Sequence, residues 1–280
     1  MDKLYKIVNL NRPVIYIAVT VLMLLPLIKP LGLPIPVGEV TKQYKQAIDD
    51  LSPGDVMWIN CAVTVEMANE LVPGLTATAH YAYDKGVNIV LFAPAPAGAE
   101  FTQAVTKELI DKGAVYGENV VNLGFLPGDE PTIASFLGDV HKTAPADYKG
   151  TSLASLPMMK DIKSGRDIAV TVVVTGDASA PDMYARQIGP FANMKLLFSS
   201  QGTLWPKIQT YLPTNQVHGA LNGARGAAEF ESITDQKGRA MASMDATSAG
   251  WLIFVGLVIF GNLAQFLEPK KTDGGKGDSK

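Results

Sequence analysis

Between residues 39 and 245 the apolar positions follow two rhythms in turn. Val40, Tyr44, Ile48 and Leu51 recur every three or four residues and predict a helix over 40–51. Val56 to Val63 is a short unbroken apolar run closed off by Ser52-Pro53-Gly54-Asp55, the pattern of a strand buried on both faces. A helix is expected from about Val65, with 75–85 continuing it or forming a second one, and Gly86 fits its stop. The same alternation repeats five more times. Strands are expected at Val87–Ala93, Val120–Phe125, Ile168–Thr175, Lys195–Phe198 and Val217–Leu221. Helices are expected at Ala99–Lys112, Thr132–His141, Asp182–Ile188, Thr203–Tyr211 and Ala224–Ile233. Residues 143–166 read as connection. Strands alternating with helices predict a Rossmann-like α/β domain, a mostly parallel sheet with helices on both faces. The order of the strands is not readable from the pattern.

Two stretches break the alternation. Ala246 to Leu267 is a 22-residue run without a charge, closed by Asp245 and by Glu268, Lys270 and Lys271. As a helix it would extend about 30 Å, the thickness of a bilayer's hydrocarbon core. Trp251 falls near one expected interface. Pro13 to Ile28 is also uncharged, after a start carrying Lys3, Lys6 and Arg12. No small-x-small cleavage site follows, so an uncleaved signal-anchor helix is expected rather than a removed signal. Pro30, Pro34 and Pro36 make the exit stiff and extended. The expected organisation is a cytoplasmic start over 1–12, transmembrane helices over 13–30 and 246–267 flanking an α/β domain over 31–245, and a disordered tail over 268–280.

Orientation follows from Lys and Arg beside the spans. Lys3, Lys6, Arg12, Lys270, Lys271, Lys276 and Lys280 lie outside the pair of spans; Lys29, Lys42, Lys45, Lys237 and Arg239 lie between them. The bias places both termini in the cytoplasm and the central domain on the far side of a prokaryotic cell membrane.

Composition narrows the function classes. With 24 basic and 27 acidic residues the formal charge is -3, so nothing marks a nucleic-acid surface. A single cysteine, Cys61, excludes a disulfide within the chain. His80, His141 and His218 are scattered without metal-ligand spacing, so no metal is expected. The chain carries no Gly-x-Gly-x-x-Gly, no P-loop and no Gly-x-Ser-x-Gly elbow, and no cofactor is expected.

In an open parallel sheet, ligands bind beyond the carboxyl ends of the strands. The loops that follow the expected strands carry small residues, and Gly98, Gly176, Asp177, Ser199 and Ser200 are the candidate ligand contacts, beside plain turn chemistry. Asp177 and Asp182 flank a helix start, where carboxylates complement the dipole. Cys61 would need a base and a lowered pKa to act as a nucleophile. Gly223, Arg225, Gly226 and Glu229 form a small-residue helix suited to close packing, within the domain or against a second copy.

Val120–Gly128, the Tyr148-Lys149-Gly150-Thr151 turn with Leu156-Pro157, Gly219–Glu231 and Met244-Asp245-Ala246 resemble an uncharacterised family of prokaryotic membrane proteins with two terminal spans around an α/β domain. The likeness runs over nearly the whole chain and implies architecture without an activity. The first expectation is therefore a non-enzymatic scaffold or assembly protein, self-associating or joined to other membrane proteins in the bilayer. A sensor binding a small ligand at the strand ends is the second. A hydrolase using Cys61 or Asp177 is the third.

Overall fold

The computed structural model describes residues 12–128, 130–236 and 238–267. The expectations for the first eleven residues and for the tail 268–280 fall outside them. Contacts divide the chain into two compact units, one of residues 32–244 and one made of the two chain ends.

The central unit is built on six strands: β1 (Val56–Ala62), β2 (Asn88–Ala93), β3 (Val120–Phe125), β4 (Val170–Thr175), β5 (Lys195–Ser200) and β6 (Gly219–Asn222). All are parallel, in the order β3-β2-β1-β4-β5-β6. This is the doubly wound, Rossmann-like order, which reverses direction between β1 and β4. The helices are α1 (Arg12–Ile28), α2 (Glu39–Asp49), α3 (Ala68–Asp84), α4 (Pro96–Asp111), α5 (Glu130–Gly138), α6 (Val140–Thr143), α7 (Ala180–Ile188), α8 (Trp205–Ile208), α9 (Gly223–Ile233) and α10 (Arg239–Leu267).

Strand alternation sends side chains to two separate cores. On one face Met57, Ile59 and Cys61 of β1 join Leu71, Leu75 and Ala79 of α3, Tyr44 and Ile48 of α2, and Phe230 of α9. On the other face Trp58 packs with Phe92, Phe136 of α5, and Tyr184 of α7. The indole stacks on Phe136 at 4.5 Å and on Phe92 at 5.0 Å between ring centroids. Each such fully buried large side chain is worth roughly 1.5–3 kcal/mol.

The residues behind the family resemblance have backbone tasks. Gly124 sits at φ +74°, and a Cβ there would stand 2.8 Å from Tyr148 Cβ. Asn122 holds this turn, its Oδ1 accepting from Gly124 N at 2.8 Å while its Nδ2 donates to Thr106 Oγ1. Asp147 ties the Tyr148 turn by accepting from Lys149 N, Thr151 N and Tyr116 OH.

Two expectations change, and one open alternative is decided. Ser199 and Ser200 belong to β5 rather than to its exit loop, because they pair with β4 on one side and β6 on the other. The helix after β1 is a single one, entered through a 3-10 turn at Val65–Met67. Of the two expected spans, one helix among the described residues is long and apolar enough to cross a membrane, α10, over Arg239–Leu263. The apolar part of α1 is Ile15–Ile28, about 21 Å of helix, because the residue before Pro30 is driven out of the helical region.

In the unit formed by the chain ends, α1 and α10 meet where Met23 lies on Gly250; a Cβ at Gly250 would stand 3.3 Å from Met23 Cε. Away from that contact both helices carry their apolar side chains in the open, among them Tyr16, Leu24, Leu27, Leu252, Phe254 and Phe260.

Candidate functional site

The topological switch between β1 and β4 is where a doubly wound sheet opens its crevice. Here the crevice is filled by the protein itself. A Cβ on Gly176 would stand 2.4 Å from Gln201 Oε1 and 2.5 Å from Met67 Sδ, so both side chains lie on the β4 exit. Glu70, in the first turn of α3, reaches the next two exits. Its Oε1 accepts from Gly202 N at 2.9 Å and sits where a Cβ of Gly223 would be, 2.4 Å away. Gln201 Nε2 lies 3.5 Å from the other carboxylate oxygen. A carboxylate of the chain thus takes the Gly202 backbone N–H, a donor that could otherwise serve an anionic ligand.

The candidate ligand contacts disperse around this edge. Gly98, in the first turn of α4, serves packing: a Cβ would be 2.2 Å from the Cys61 carbonyl oxygen. Asp177 closes a local turn, accepting from Ser179 N at 2.8 Å and Ser179 Oγ at 2.9 Å. Asp182 instead pairs with Lys207 at 2.6 Å and accepts from Tyr211 OH. The two aspartates share no partner there. Ser199 faces α3, its Oγ 2.7 Å from a Cβ placed on Gly74, while Ser200 faces the opposite side of the sheet. Cys61 is fully buried, and burial pushes its thiol up to about 12, the reverse of what a nucleophile needs. Among the described residues no cluster of His, Cys, Asp or Glu could hold a metal ion.

The second concentration of chemistry is α9. Gly223, Gly226 and Glu229 are buried inside the domain, and Arg225 is exposed. Gly226 lets α9 start tight against β6, since its Cβ would be 2.7 Å from the Leu221 carbonyl carbon. Glu229 Oε1 accepts from Arg225 Nε at 2.9 Å. Its Oε2 accepts from Gly38 N at 2.9 Å and from Thr41 Oγ1 at 2.8 Å, gripping the chain where it enters the domain. Two residues on, Glu231 accepts from Ala240 N at 3.1 Å and Met241 N at 2.7 Å, gripping the chain where it leaves. Free N–H groups at a helix start favour a carboxylate, and α10 begins at Arg239. Burial pushes the Glu231 carboxyl up, against the pull of these N–H groups. One helix therefore ties down both ends of the domain.

Grooves open on the surface of the described residues beside charged side chains. One of about 610 Å³ runs along α5 beside Pro127, Thr132, Ser135, Asp139 and Lys142. The other, about 320 Å³, lies beside His80, Glu108, Lys112, Glu231 and Arg239. His80 Nε2 is 3.4 Å from Glu108 Oε2, and burial lowers the imidazole pKa, with Lys112 adding to the effect.

Sequence reasoning missed Glu70, Gln201 and Glu231. Glu70 looks like an ordinary acidic residue in a first helical turn, and nothing local shows that it spans to β5 and β6. Glu231 carried a faint signal: an acidic residue two positions from Glu229 puts a charge on both sides of one short helix.

No family model, no curated protein and no solved structure matches this chain.

Proposed function

We propose that this chain is an α/β domain anchored in a prokaryotic cell membrane by its apolar end helices, working as a non-catalytic, self-associating scaffold. The observation that carries the reading is the state of α10, where only 6 % of the most apolar stretch is buried. Exposed Trp251, Leu252, Phe254, Ile259 and Phe260 would cost water roughly 25 cal/mol for each Å² of apolar surface. A bilayer removes that cost. The exposed apolar face of α1 and its contact with α10 through Met23 support a second, shorter or tilted span. The lysine and arginine bias supports cytoplasmic termini and a domain on the other side.

Self-association runs through the spans in this reading. The small residues of α9 are taken up inside the domain, whereas Gly256 and Gly261 of α10 are open, with no atom within 4 Å of an added Cβ. Small residues let a second helix approach closely in lipid. The buried Cys61 thiol and the crevice filled by Met67, Gln201 and Glu70 support the non-catalytic part.

The test is the mass of the full chain purified in a mild detergent, by light scattering and native mass spectrometry. A discrete oligomer that Gly256→Leu dissociates is expected. A strict monomer would overturn the scaffold reading, and extraction of the chain from membranes by alkaline carbonate would overturn the anchor.

A further inference from the structure

The groove beside His80 is walled by three elements of the central unit. Pro73, Thr76, Ala77 and His80 recur every three or four residues along α3, so they form one stripe of that helix. Glu108 and Lys112, one turn apart at the end of α4, make the second wall. The third is the segment that leads from α9 into α10, with Gly238 and Arg239. Glu231 fixes that segment from inside, accepting from Ala240 N and Met241 N. A Cβ on Gly238 would stand 2.2 Å from Glu231 Oε1, so the wall carries no side chain at that point. The groove's volume of about 320 Å³ holds on the order of ten waters, or one molecule the size of an amino acid.

Two charges of opposite sign line this groove without a charged partner. Lys112 Nζ is taken by Asp84 Oδ2 at 2.5 Å. Arg239 is exposed, and among the described residues its guanidinium makes no ion pair or side-chain hydrogen bond. Glu108 has only the His80 imidazole beside it, 3.4 Å away. Burial lowers the His80 pKa and Lys112 adds to the effect, so the ring is neutral at pH 7 and leaves the Glu108 charge unmet. Arg239 and Glu108 stand on different walls of one groove and are not within ion-pair distance of each other.

That arrangement selects its ligand by charge. A simple anion drawn to Arg239 would meet Glu108. A simple cation drawn to Glu108 would meet Arg239 and Lys112. A molecule carrying both signs answers both at once, through charge-assisted hydrogen bonds. We infer that this groove binds small zwitterions, molecules bearing an ammonium group and a carboxylate or phosphate, with the oxyanion at Arg239 and the ammonium at Glu108. Free amino acids have this chemistry, and so does the phosphoethanolamine headgroup of a lipid. Arg239 opens α10 and lies about 10 Å of helix before the uncharged run that starts at Ala246, which brings a headgroup within reach if the chain is anchored as proposed above.

The test uses the full chain in a maltoside detergent, with its histidines isotope-labelled for NMR. Glycine, γ-aminobutyrate and phosphoethanolamine are added to about 10 mM, beside acetate and ethylammonium as single-charge controls. At least one zwitterion is expected to shift the His80 imidazole signals and to raise Tm by about 2–4 °C, with neither control doing so. Both effects should vanish in Arg239→Gln and in Glu108→Gln. A response to the amino acids assigns the site to free zwitterions. A response to phosphoethanolamine alone, repeated in bilayer discs of phosphatidylethanolamine but not of phosphatidylglycerol, assigns it to the headgroup. Silence of His80 toward every probe and in both bilayers would overturn the proposal, as would an equal response to the controls or one that survives both variants. None of these readouts depends on oligomeric state, so a monomeric chain, fatal to the scaffold reading, leaves this test intact.

Discussion

Toward α3, Tyr44 OH and Thr78 Oγ1 share a hydrogen bond at 2.8 Å; toward α7, the hydroxyl of Tyr184 has no partner among the described residues. Both tyrosines are fully buried, and in both burial raises the pKa. The difference lies in what each face was given. The α3 face carries threonines and asparagine at spacings that meet one another, as in Asn122 with Thr106 and Thr41 with Glu229. The α7 face is aromatic and aliphatic apart from a few polar atoms, among them Trp58 Nε1, Asn60 Oδ1, Tyr184 OH and Ser200 Oγ, which have no hydrogen-bond partner among the described residues. One sheet thus carries one core in which the chain largely meets its own polar groups and another in which it leaves several of them without a partner.

The largest test of this contrast is Glu229→Ala. It strips the acceptor from Gly38 N, Thr41 Oγ1 and Arg225 at once, and about 2–4 kcal/mol of stability is expected to go in urea denaturation, because the first two donors are left without a partner. A loss below 1 kcal/mol would mean that the chain-entry segment is held by packing alone. Gly98→Ala comes next, at about 2 kcal/mol, because its methyl would be driven into the Cys61 carbonyl. Tyr44→Phe should cost about 1 kcal/mol by stranding Thr78. Placed beside Tyr184→Phe on the opposite face, it calibrates the comparison: equal losses mean that both hydroxyls are bonded in the native protein.

Acid and base should act on different residues. Desolvation opposes the ionised form of Asp49, yet hydrogen bonds from Lys45, Lys85 and Tyr81 hold its carboxyl down at about 2. A folded pKa below the unfolded 3.8 contributes stability at higher pH that is lost as pH falls from about 3.8 toward 2. Glu231 works the other way. Its folded pKa lies above the unfolded 4.5, so the native state holds its proton longer, and stability falls as pH rises from 4.5 through the folded value. Glu231→Gln should flatten the second slope and leave the first, as read by Tm against pH. The smallest effect is expected from Arg225→Ala, about 0.5 kcal/mol, since that side chain is 61 % exposed and its partner keeps two other donors.

The strands with β-branched or long apolar runs, such as Val170–Thr175 and Asn88–Ala93, were legible in the sequence because a strand buried on both faces leaves no polar rhythm to obscure it. So was α9, from its small residues. The strand order was not, because it depends on which strands meet across long separations. Ser199 and Ser200 read as a loop because serine favours turns; pairing on both sides overrode that preference. The end of α1 falls at Ile28, two residues short of the span expected over 13–30, with Pro30 stopping the helix as its place in the sequence implies. That Tyr184 and Asn60 bury polar atoms without a partner among the described residues was not legible at all. A lone tyrosine in a helix and a lone asparagine in a strand show their burial only once the helix is laid on the sheet.

The central place of β1 has a consequence in time. Its partner on one side, β2, follows soon after it, but Met57 on its other side pairs with Val170, more than a hundred residues later. A ribosome adding roughly 5–20 residues per second leaves that edge without its neighbour for on the order of ten seconds. During synthesis the middle of the future sheet is an uncovered strand edge carrying Trp58 and Ile59, open to chaperones and to mispairing until the second half of the chain arrives.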